Sequence, residues 1–282
     1  MRVVDGLEAQ RSLRPMAVGE LLDASIGVLK ARPRTVLAIT AVFVLPTQLA
    51  AAFAQRDLLA STSFTEIFND PSLAGSTTGS SSSTVVVFLV GLLPSMVLPF
   101  VAGALGRLVA AWRAGGDLTT GAALRAAARK WWVLLVAWLL THLAEVVAMI
   151  AFVVPALLLM AMWQVAAPVI VVEDLGPIAG LRRSGRLATT RFWSVVLAVL
   201  GAGFVHYVLE ATLPLVTQLI ASALGNDGGW VVLAVGNILS SLVTTAFLAS
   251  FAVVLYLDLR VRGEGLDLQL EADRHFSGAA AG

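Results

Sequence analysis

Apolar residues run in long, nearly unbroken stretches along this chain, and charge is confined to the segments between them. The stretches at 35–54, 85–110, 193–214 and 230–257 are each close to or beyond the ~20 residues a helix needs to cross a hydrocarbon core. Residues 131–172 form a run about twice that length, so a hairpin must turn inside it, around 152–155, giving spans at 131–151 and 155–172. Gly225, Asn226, Asp227, Gly228 and Gly229 mark a turn between the fifth and sixth spans. Pro94 and Pro99 lie within the second span, where each removes a backbone hydrogen bond, and they predict a bend.

The polar segments carry a second pattern. In residues 16–30, Val18, Leu21, Leu22, Ile26 and Leu29 recur at helical spacing, with Glu20, Asp23 and Lys30 on other faces. Residues 173–193 read EDLGPIAGLRRSGRLATTRFW. With Pro177 opening a helix, Ile178, Leu181 and Leu187 share one side, and Arg182, Arg183, Arg186 and Arg191 spread over the rest. A shorter segment of this kind opens at Gly121 and ends at Arg129 and Lys130, just before Trp131 and Trp132, whose indoles favour the headgroup level. Gly19 precedes Lys30, and Gly180 precedes Arg191, at matching positions, so the chain reads as a surface helix followed by a hairpin, three times. The predicted fold is therefore all-α and polytopic, with six transmembrane helices and about three amphipathic surface helices. Its parts are an N-terminal segment 1–34, a membrane domain 35–257 and a polar tail 258–282.

Composition supports this. The 282 residues are 58% hydrophobic and 13% charged, with a mean hydropathy of +0.88, whereas a soluble domain carries about 25% charge. The net charge of +1 argues against nucleic acid as a partner. Cysteine is absent, which excludes disulfides, thiolate metal sites and a cysteine nucleophile. Of the nineteen lysines and arginines, eighteen fall at 1–34, 107–130, 173–191 and after 257, leaving Arg56 in the Ser/Thr-rich linker 56–84. By the positive-inside rule the basic segments and both termini face the cytoplasm, and the linker lies outside. With the first apolar run beginning only near Val36, no cleavable signal is expected. Arginine far outnumbers lysine, which occurs only as Lys30 and Lys130; this points to a GC-rich bacterial source and hence to the inner membrane.

Three passages carry a resemblance: RPMAVGELLDASIGVLKARPRT, AAPVIVVEDLGPIAGLRRSGRLATTRFW and LYLDLRVRGEGLDLQLE, in that order. Together they resemble the glycerophosphoryl diester phosphodiesterase membrane-domain family of bacterial six-helix proteins. The resemblance implies the membrane fold. The catalytic barrel to which such regions can be fused needs roughly 250 residues, so no hydrolase activity is expected from residues 258–282.

Candidate chemistry is sparse. Gly201-Ala202-Gly203 follows no strand and reads as close helix packing. Ser240, Ser241, Thr244 and Thr245 read as hydroxyls bonded within or between helices. No nucleotide loop or Ser/His/Asp arrangement is apparent, no cofactor is implied, and the chain is not expected to be an enzyme. Ionisable side chains inside spans are the exception, because they are costly in lipid and normally pair toward the bundle interior. His142 and Glu145 lie in the third span, His206 and Glu210 in the fifth, each pair on one helix face and at overlapping depths. His142, Glu145 and His206 are expected to converge in one cavity, with Tyr207, Gln164 and Asn237 able to join. The alternatives are interhelical hydrogen bonds with Glu210 reaching the outer surface, or a His/Glu metal site. Arg182, Arg183, Arg186 and Arg191 are expected to bind anionic phospholipid headgroups. The leading functional expectation is a membrane scaffold or accessory subunit with protein partners; the alternative is a transporter or lipid-handling protein with a polar intramembrane site.

Overall fold

In the computed structural model, which describes residues 16–61, 81–224 and 226–265, every regular element is a helix. Expectations for residues 1–15, the middle of the linker and the tail beyond 265 lie outside the described residues. In chain order the helices are α1 (Val18–Ala31), α2 (Pro33–Ser61), α3 (Ser81–Arg113), α4 (Thr120–Arg129), α5 (Trp131–Ala151) and α6 (Val153–Trp163). They continue as α7 (Ala166–Val172), α8 (Pro177–Thr189), α9 (Phe192–Thr212), α10 (Leu215–Leu224) and α11 (Asn226–Glu264). Six stretches are long and apolar enough to cross a membrane: Pro33–Phe53, Ser95–Arg113, Trp131–Ala151, Val153–Val172, Phe192–Ala223 and Gly229–Glu264.

Several helices run past the predicted spans, because extending an established helix costs far less than starting one. Residues 56–61 and 81–84, expected in the linker, are helical. Helix α11, the sixth span, takes in residues 226–229 of the expected turn and 258–264 of the expected tail. Its 39 residues reach ~58 Å, nearly twice the ~30 Å hydrocarbon core. Conversely, the fourth span is two helices. Its break falls at Gln164 and Val165, where Pro168 has no N–H to offer the carbonyl of Gln164. A similar break separates α9 from α10 at Leu213 and Pro214. Pro94 and Pro99, by contrast, are accommodated within the single helix α3.

The core is built around the second half of α11. Phe247, Phe251, Val254, Leu255 and Tyr256 are almost completely buried, together with Ala246, Ala249 and Ala252. A helix apolar on all sides belongs at a centre, and here α1, α2, α3, α9 and α10 pack around it. Helix α5 is peripheral: Leu139, Leu143, Val146, Val147 and Ile150 are all exposed, a face suited to lipid and not to water. Between centre and edge, α3 and α7 approach closely through small residues. A Cβ added at Gly106 would stand 3.2 Å from Cα of Pro168, and one at Gly103 would stand 2.7 Å from Val171 Cγ2. In the Gly201–Gly203 segment, Ala202 is buried and Gly201 faces Leu22 of α1, while Gly203 is open. Helices α1, α4 and α8 and the C-terminal turns of α11 all gather at one end of the bundle, the end that carries most of the described basic residues.

Candidate functional site

Helix α5 turns one polar face inward. Trp138, Thr141, His142 and Glu145 recur at intervals of three and four residues, so they line one side of the helix. Opposite them stand Ser95 and Pro99 of α3 and Gln164 at the α6–α7 break, and the walls enclose a half-open cavity of about 210 Å³. Leu134, Ala166 and Ile170, all buried, close the end nearer Trp131. Glu145 lies fourteen residues beyond Trp131, hence ~21 Å along the helix. The cavity therefore sits within the apolar length of the bundle, away from its ends.

The polar atoms of this face are already organised. Trp138 Nε1 donates to Ser95 Oγ at 3.2 Å, and Ser95 Oγ donates in turn to the Leu92 carbonyl at 2.8 Å. Thr141 Oγ1 donates to the Trp138 carbonyl at 2.8 Å. His142 Nδ1 lies 3.0 Å from that same carbonyl, and the His142 ring stacks on Trp138 with centroids 4.7 Å apart. A carbonyl can only accept, so this contact is made by an Nδ1–H.

The expected single cluster is divided. His142, Glu145 and Gln164 line the cavity; His206, Tyr207, Glu210 and Asn237 do not. Helix α6 packs against both α5 and α9 and is flanked by them, because the tight turn at Phe152 returns it alongside α5. Matching depth is thus no guarantee of adjacency. Glu210 instead accepts a hydrogen bond from Thr244 Oγ1 of α11 at 2.7 Å. His206 Nδ1 is buried without a hydrogen-bond partner, and Tyr207 and Asn237 are exposed. Among the described residues no three His, Cys, Asp or Glu side chains are grouped as a metal ion would require.

The arginine segment also divides. Arg182, Arg186 and Arg191 are exposed on or just beyond α8, as a headgroup-facing role needs. Arg183 is not available for that role, because it turns inward. Its Nε and Nη2 donate to the two Glu173 carboxylate oxygens at 2.8 and 3.2 Å, and Nη2 also pairs with Glu264. Hydrogen bonding to Glu173 raises the Arg183 pKa above its already high value, against the opposing cost of burial. Tyr256 donates to Glu173 Oε1 at 3.0 Å, and Arg260 reaches both the Tyr256 hydroxyl and Glu264. A second clasp joins the start of α1 to the end of α11: Asp258 accepts from the Met16 amide at 2.8 Å, while Arg262 bonds Asp258 and the Met16 carbonyl. Lys130 pairs with Asp174 at 2.6 Å, and this bond holds the exposed Asp174 carboxyl below its usual range.

These clasps were missed in the sequence because residues from 258 onward read as tail. The signal was present in LYLDLRVRGE: Tyr256, Arg260 and Glu264 recur every four residues, as do Asp258 and Arg262. No family model, curated protein or solved structure matches this chain.

Proposed function

We propose that this chain is a lipid-handling membrane protein, whose working site is the half-open cavity bounded by α3, α5, α6 and α7. The observation that carries the reading is a polar strip of Glu145, His142 and Gln164 inside an otherwise apolar cavity at bilayer depth. A pure scaffold gains nothing from a half-buried carboxylate there, since such groups are expensive in hydrocarbon. Apolar walls with a few placed polar groups are what a small amphiphile requires: chain against the walls, head against the strip. The six apolar stretches and the clustering of basic residues support a multi-pass protein with its arginine-bearing end in the cytoplasm.

Ala137 is buried and lines the cavity. Ala137→Leu places three extra carbons where the amphiphile would lie. The expected result is loss of a co-purifying small amphiphile, measured by mass spectrometry of the protein released from native-lipid nanodiscs, with thermal unfolding close to wild type. Identical bound species in wild type and variant would refute the proposal.

A further inference from the structure

The hydrogen-bonding character of the cavity goes further than its shape. Each hydroxyl on the polar strip has spent its proton internally: Ser95 on the Leu92 carbonyl, Thr141 on the Trp138 carbonyl. The Trp138 indole N–H is spent on Ser95, and the His142 Nδ1 proton on the Trp138 carbonyl. What remains on these groups is lone pairs, on the Glu145 carboxyl and Thr141 Oγ1. Two prolines add to this. Pro99 and Pro168 have no N–H for the carbonyls of Ser95 and Gln164, both in residues lining the cavity. Among the described lining residues none is lysine or arginine, and the uncommitted side-chain donors are the Gln164 amide and the Trp163 indole N–H. The cavity is therefore an apolar wall whose polar strip is centred on one carboxyl and has no basic lysine or arginine beside it.

We infer that this cavity selects an amphiphile whose head is a primary ammonium: a group with three donors, no acceptor and a positive charge to offset Glu145. The inference rests on the reading of the cavity as an amphiphile site. An anionic phosphate head would meet the carboxylate and further lone pairs with no lysine or arginine to balance it, and repulsion in so apolar a setting is severe. A hydroxyl head brings one donor and no charge, so it satisfies fewer acceptors and leaves Glu145 uncompensated. Phosphate recognition, where it occurs, belongs to the exposed Arg182, Arg186 and Arg191 at the end of the bundle, away from this site.

Three probes with one common alkyl chain carrying a photoreactive diazirine decide the matter: an alkylamine, an alkanol and an alkyl phosphate, each added to the full chain in nanodiscs. The alkylamine should crosslink peptides covering 138–145 and 160–167, and should be displaced by unlabelled amine at roughly tenfold lower concentration than by the alkanol. The alkyl phosphate should leave those peptides unlabelled. Glu145→Gln, a substitution of equal size on a partly exposed side chain, should abolish the amine's advantage, so that amine and alkanol displace the label at similar concentrations. Equal labelling by alkanol or phosphate, or an amine preference that survives Glu145→Gln, would overturn the ammonium assignment while leaving an amphiphile site intact. If none of the three labels the cavity, the amphiphile site itself falls.

Discussion

Arg182 and Arg183 are adjacent in sequence and opposite in circumstance. One guanidinium is exposed; the other is held by two carboxylates at 19% side-chain exposure. Replacing Arg183 by glutamine would remove the cation bonded to both Glu173 and Glu264 and leave Arg260 alone to balance the two carboxylates, at a cost of about 2 kcal/mol. Replacing Arg182, Arg186 and Arg191 together by glutamine should leave stability unchanged and weaken retention of anionic phospholipid, by about 1 kcal/mol per lost charge near the surface. Thermal unfolding and lipid analysis of the two variants separate these effects. If the triple variant retains anionic lipid at the wild-type level, these arginines serve topology alone. This distinction was only partly legible in the sequence. Helical spacing puts Arg183 a little away from Leu181 and Leu187, but nothing local shows that Glu173 and Glu264 wait on that side. His142 and Glu145 were legible as a pair because three residues of helix separate them; their separation from His206 depends on where α6 lies.

Among the elements, apolar runs located all six spanning stretches, since the need for ~20 residues to cross lipid leaves little freedom. Boundaries were less legible. Residues 81–84 and 258–264 are polar enough to read as linker and tail, yet each continues a helix already formed. The breaks at Gln164 and before Pro214 were hidden within apolar runs that look continuous. Helix α8 and the hairpin tip formed by α10 are predicted to lie on opposite sides of the membrane, with α8 cytoplasmic. The chain lacks cysteine, so one introduced thiol is a clean reporter. Exposed Ser222 of α10 and exposed Thr189 of α8 are suitable positions. In intact cells a membrane-impermeant maleimide should label Ser222→Cys and spare Thr189→Cys, the latter reacting only after permeabilisation. The reverse pattern would invert the orientation.

For the whole molecule, the arrangement separates stability from chemistry. The centre, around Phe247, Phe251 and Leu255 of α11, is densely apolar and carries the core. The edge, where α5 stands beside α3, keeps the cavity. Edge placement gives an amphiphile a route from the bilayer that need not disturb the core. Ionisable residues within a span marked where to look; which donors of the strip are already committed depended on hydrogen bonds that appear only in three dimensions. A density map of the protein in nanodiscs made from its native lipids tests the central claim most directly. The account predicts elongated density between α3 and α5 with its polar end beside Glu145 and His142; helix α5 closed onto α3, with Trp138 filling the space and no room for a ligand, would contradict it.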